Sequence, residues 1–174
     1  MEQRKLKRWE IGGFFVVAVL GTLLHFFYEQ TGENALAGIF SPVNESVWEH
    51  LKLLFIPILI FTLFEYVWLE PYYPNVLCVK AVSALLGMAF IIVFYYTYTG
   101  IIGDNIPWLD IGSFYAAVLI ASLYSYKKMK QYKIGKRKCK FLGVFLFLLF
   151  FLMFAYFTFS PPKLGLFAPP NIAA

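Results

Sequence analysis

Five apolar runs constrain this chain more than any other feature: Ile11 to Tyr28, Leu51 to Leu69, Val76 to Tyr98, Leu109 to Tyr126 and Phe141 to Phe159. Within them the acidic and basic side chains are only His25, Lys52, Glu65, Lys80 and Asp110. A helix needs about 20 apolar residues to cross a bilayer, and each run meets or approaches that length. None alternates apolar with polar residues as a transmembrane strand must. With 60% hydrophobic residues, 14% charged residues and a mean hydropathy of +0.68, an ordinary soluble domain is excluded. The reading is all-α: one multi-pass helical bundle over residues 1–174, embedded in a cell membrane, with the lipid bilayer as its first partner.

Lys and Arg set the orientation, because short basic loops stay on the cytoplasmic side. Arg4, Lys5, Lys7 and Arg8 precede the first run, and eight more basic residues lie between Lys127 and Lys140. Glu29 to His50 and Thr99 to Trp108 contain none. Five crossings then place the N-terminus inside and the C-terminus outside. These two clusters account for the net charge of +5. Attraction to anionic headgroups explains them without nucleic acid, for which no recognition motif is present. Ala35-Leu36-Ala37 ahead of Gly38 resembles a signal-peptidase site, but the first run exceeds the roughly 7 to 15 apolar residues of a signal core, so it is expected to be retained. Cys78 and Cys139 fall toward the cytoplasmic side, where thiols stay reduced, so no disulfide is expected. The Pro-rich tail from Pro161 is expected to extend along the outer surface.

The segment Ser41-Pro-Val-Asn-Glu-Ser-Val-Trp-Glu-His-Leu-Lys puts Glu45, Glu49, His50 and Lys52 at the threshold of the second span. Ser41, with Pro42 at the first helical position, or Asn44 one turn later, is expected to cap a helix running from about residue 44 to 69, kinked at Pro57. At 100° per residue Glu45, Glu49 and Lys52 share a face with Trp48 beside it, and His50 points about 100° away from Glu49. On the first span Thr22, His25 and Glu29 align, with His25 in the outer half of the membrane. A short connection favours antiparallel neighbours. The expected product is an outer polar cluster of His25, Glu29, Glu45, Glu49, His50 and Lys52, with Asn44 and Trp48 adjacent. Asp110, Tyr95, Tyr96 and Tyr98 lie within its reach.

Ionisable groups inside a membrane are costly and tend to mark function. The structural reading is that Glu49 and Lys52 form a surface ion pair, Glu45 answers the helix dipole, and Trp48 anchors the interface. Glu65 and Lys80 read as an interhelical ion pair, and Trp9, Trp68 and Trp108 as belt residues.

The stretches His25-Phe-Phe-Tyr-Glu-Gln-Thr-Gly-Glu-Asn34 and Phe40-Ser-Pro-Val-Asn-Glu-Ser-Val-Trp-Glu-His-Leu-Lys-Leu53 resemble a family of small bacterial membrane proteins known only as a domain of unknown function, over nearly the whole chain. The resemblance implies a bacterial cell-membrane protein and brings no activity.

Three functions fit the sequence, and they leave open whether the chain is an enzyme. In a membrane-embedded metal-dependent hydrolase, His25, Glu29 and His50 hold a divalent metal such as Zn and Glu49 is the catalytic base; no His-Glu-x-x-His motif supports it. In a proton- or cation-coupled carrier or channel, His25, Glu29 and Glu49 pass the ion, and five spans without an inverted repeat call for a homo-oligomer. In a non-catalytic component, the outer notch or the basic segment containing Lys133 to Lys140 binds a membrane partner protein or lipid.

Overall fold

The computed structural model describes residues 2–131 and 136–170; Lys133 and the last four residues of the tail lie outside them. Every regular element among the described residues is helical. The chain runs through α1 (Glu2–Gln30), α2 (Ala35–Phe40), α3 (Val47–His50), α4 (Lys52–Leu69), α5 (Val76–Ile102), α6 (Pro107–Gln131) and α7 (Lys136–Phe159), and closes with a 3-10 turn at Gly165–Phe167. Among the described residues five stretches are long and apolar enough to cross a membrane, with α3 and α4 counting as one from Val47 to Leu69. The helices overrun the apolar runs: α1 starts among its basic residues, and α5 continues until Gly103 adopts φ 82° and ends it with an N–H···O bond to Thr99.

α4 and α5 form the middle of the bundle, each with more than half of its apolar window buried. α1 packs on α4 and α6, while α6 and α7 pack on α5. Phe55 on α4 meets Phe147, Phe150 and Phe154 of α7. The outer faces stay apolar: Phe15, Leu23, Phe64, Val93, Leu148 and Leu152 are all exposed, as surfaces meant for lipid tails are.

One contact fixes how α1 lies on α4. Pro57 has no N–H, so the Leu53 carbonyl four residues earlier lacks its in-helix donor. Gly21 of α1 sits against that oxygen so closely that a Cβ there would overlap it. The two helices run antiparallel, since Gly13 meets Phe61, Gly21 meets Leu53 and His25 meets His50.

Three expectations are corrected. First, Cys78 and Cys139 form a disulfide across 61 residues of chain, with Cα atoms 5.2 Å apart. The sequence placed both at one end of the bundle but not side by side. The approach comes from Gly143 of α7, one turn from Cys139, whose absent side chain lets α7 lie on the backbone of Leu77 and Cys78. Second, the second span starts at Val47, not at Asn44 or Ser41. Ser46 is the N-cap, accepting from the Glu49 N–H at 3.4 Å, and the Asn44 side chain accepts from the Ser46 N–H at 2.9 Å in a turn before it. Ser41 instead joins α1, donating to the Leu24 carbonyl and accepting from the Tyr28 N–H. Third, Trp48 is not an interface anchor. It is 5% exposed, packed among Phe154, Phe157 and Phe167, so the tail folds back through its 3-10 turn to cover it.

Candidate functional site

The threshold residues divide into two groups with different partners. Glu49 and His50 differ by 100° around the same helix, and Glu45 precedes the first helical turn, so the single face expected for Glu45, Glu49 and Lys52 does not form.

The first group is closed. Lys52 is 0% exposed, and its Nζ lies 2.6 Å from Glu49 Oε2, 2.6 Å from Thr158 Oγ1, 2.7 Å from the Gly38 carbonyl and 3.3 Å from the Ser41 carbonyl. Glu49 also accepts from the Val43 N–H at 3.0 Å and the Thr158 hydroxyl at 3.3 Å. This is no surface ion pair. It ties α2, the loop before α3, α4 and α7 together. With Glu49 2% exposed and held on Lys52, the structure does not present it as a base beside the histidines. Thr158 was missed because a hydroxyl in an aromatic run gives no hint of a partner some hundred residues away.

The second group is open. His25 of α1, Glu45 and His50 of α3 bring one ligand atom each to within 4.8 Å of one another, and the two imidazoles lie 5.3 Å apart, centre to centre. His50 Nδ1 lies 2.9 Å from the Ser46 carbonyl. A carbonyl only accepts, so Nδ1 carries a proton; Nε2 donates to Glu45 when the ring is an imidazolium and presents a lone pair to a metal once that second proton is given up, as the backbone-bonded histidines of metal sites do. That Nε2 is 3.3 Å from Glu45 Oε2. The hydrogen bond from His50 holds the Glu45 carboxyl below the usual carboxylate range. His25 Nδ1 is buried and has no hydrogen-bond partner among the described residues. Glu29 is exposed one turn beyond His25 and stands outside the trio, so the ligand set read from α1 spacing is replaced by one with Glu45 in its place. The proton path read from the sequence is not assembled either, since Glu49 faces Lys52 rather than His25.

The trio lines a cavity of about 840 Å³ between α1, α3, α5 and α6, within the range of sites that take a small amphiphilic molecule. Its walls are apolar at Leu53, Ile91, Phe114 and Pro169 and polar at Asn44, Tyr95 and Asp110. Asp110 starts α6, where a carboxylate suits the helix N-terminus, and its Oδ1 is 2.5 Å from the Tyr98 hydroxyl, which also lies 2.6 Å from Asn105 Oδ1. Tyr96 stands apart from these contacts, exposed on the outside of α5.

Lower in the bundle, the expected Glu65–Lys80 pair is present at 2.9 Å, but Lys80 also meets Glu10 of α1 at 3.0 Å, and Glu10 accepts from the Ser125 hydroxyl of α6 at 2.6 Å. Glu10 escaped the sequence reading because it stands among basic residues. Its register exposes it all the same: Leu6, Glu10, Gly13, Val17 and Gly21, at helical spacings of three and four, are all buried.

No curated protein and no solved structure matches the chain. A family model described as "Family of unknown function (DUF6512)" matches residues 1–172, and the chain belongs to that family.

Proposed function

We propose that this is a polytopic membrane protein that holds a divalent transition metal, Zn fitting best, through His25, Glu45 and His50 at the wall of a cavity that receives an amphiphilic ligand. The observation that carries the reading is that His25, Glu45 and His50 each bring one ligand atom to within 4.8 Å of one another, while a buried His25 nitrogen has no partner among the described residues. A buried ring nitrogen with no partner is costly, and a metal satisfies it. Two histidines and one carboxylate are a catalytic zinc donor set with one position left open. In a tetrahedral site neighbouring donors stand about 3.3 Å apart, so side-chain rotation closes the trio.

A metal in this set supplies an activated water and polarises a carbonyl or phosphoryl oxygen. The chain's own residues do the rest. The Ser46 carbonyl fixes the His50 tautomer, the apolar wall takes the tail of an amphiphile, and Asp110 is the carboxylate on the cavity wall able to take a proton. The reaction class is hydrolysis of a linkage near the ligand's headgroup, and the surrounding partner is the bilayer of a cell membrane.

The test is metal content, by mass spectrometry, of detergent-purified protein dialysed against zinc. About one zinc per chain, lost in His25→Ala and His50→Ala and kept in Asp110→Asn, is the expected result. Native protein that takes up no zinc ends the reading.

A further inference from the structure

We propose that the Glu10–Lys80–Glu65 group is a binding site for one small monovalent cation, a sodium ion, seated between Glu65 and the hydroxyls of Thr62, Ser83 and Ser122. It shares no residue with the His25 trio and stands whether or not a metal binds there.

Charge is the first argument. Glu10, Glu65 and Lys80 are 5%, 0% and 6% exposed, so two carboxylates and one ammonium are held away from water with a net charge of −1. The other residues that line the adjoining cavity, from Gly13 and Val17 of α1 to Val118, Ala121 and Ser122 of α6, carry no charge. An uncompensated buried charge is strongly unfavourable, so one further positive charge is called for, and a divalent ion would overshoot.

Hydrogen bonding locates it. Glu10 has both oxygens engaged, one by Lys80 and one by Ser125. Glu65 has one: Oε2 faces the Lys80 ammonium at 2.9 Å, and Oε1 has no partner among the described residues. Beside Glu65 is a cavity of about 20 Å³, room for a single water-sized species. Thr62 and Ser83 on its wall have spent their protons elsewhere, on the Ile58 carbonyl at 2.6 Å and the Lys80 carbonyl at 2.8 Å, and Lys80 and Ser122 complete the polar lining. The Thr62 and Ser83 oxygens are left as acceptors beside the carboxylate. A neutral water leaves the cluster's charge unanswered, whereas a small hard cation answers it and takes oxygen acceptors.

The experiment is thermal unfolding of the full chain in detergent at constant ionic strength, with sodium chloride exchanged for N-methylglucamine chloride, at about pH 8 and about pH 6, a range in which an ordinary carboxylate stays ionised. A sodium occupant raises the Tm saturably with sodium at the higher pH. A Tm that ignores sodium and only rises as the pH falls reports a proton on Glu65 itself and overturns the site. The sodium response supports it if Glu65→Gln abolishes it and Glu29→Gln, exposed and remote, retains it. For sodium, Thr62→Val leaves all three charges in place and should move the sodium midpoint up about tenfold, the weight of one lost ligand. A native protein indifferent to sodium, or a sodium response that survives in Glu65→Gln, overturns the proposal.

Discussion

Glu49 faces Lys52, Thr158 and the Val43 amide, whereas His50, the next residue, faces His25 and Glu45 across an open cavity. Both are ionisable groups on the same short helix, and both sit where the sequence announced polarity. The difference is in what is left over. Around Lys52 every strong donor and acceptor has a partner, so the group is spent on holding four segments together. Around His25 a nitrogen has none, and the neighbouring imidazole and carboxylate meet each other at 3.3 Å beside an open cavity. A buried charge that is fully answered is architecture, and ligand atoms that converge with a nitrogen left unanswered among them are a site.

That contrast can be broken in several ways, and the hardest blow should fall on the closed group. Lys52→Ala leaves Glu49 buried with no countercharge and should cost about 3–5 kcal/mol of stability, read from thermal or denaturant unfolding in detergent. A cost below about 1 kcal/mol would mean that water reaches Glu49, and the two groups would no longer differ in kind. His50→Ala should do the opposite: zinc affinity falls by more than about 100-fold, since even an outer-shell partner is worth about 10–100-fold, while the fold holds within about 1 kcal/mol. Replacing the closed pair together, Glu49→Gln with Lys52→Met, removes both charges at once and should return stability to within about 1–2 kcal/mol of native, because a buried ion pair rarely beats a neutral replacement. The smallest change is expected of Glu29→Gln, about 0.5 kcal/mol or less in unfolding and none in zinc content, because the side chain is exposed and outside the trio.

How much of this was legible in the sequence depends on distance along the chain. The five helices are, because a run such as Val76 to Tyr98 has no other stable form. The meeting of His25 with His50 is half legible: antiparallel neighbours and equal depth bring them close, but Glu45 enters the trio from a turn, where helical spacing gives no angle. Glu29, which spacing favoured, is left outside because α1 turns that position outward. The pairing of Lys52 with Thr158 and of Cys78 with Cys139 was illegible, since each depends on where α7 lands, and nothing local in an aromatic run sets that. Glu10 is the instructive case between these. Its neighbours advertised a basic terminus, yet the stripe of small and apolar residues on either side already marked its face as the packed one.

The seat of Gly21 against the Leu53 carbonyl acts as an index pin for the site above it. Gly21 is one turn before His25 on α1, and Leu53 is one turn after His50 on the antiparallel neighbour, so the two imidazoles inherit their relative height from this single contact. A side chain at Gly21 has nowhere to go but outward or along the axis, and sliding by one turn means about 5.4 Å. That displacement is larger than the 4.8 Å within which the three ligand atoms meet. The alignment of the trio is therefore gauged from a turn away by a residue with no side chain, resting on an oxygen that a proline left without its helical partner.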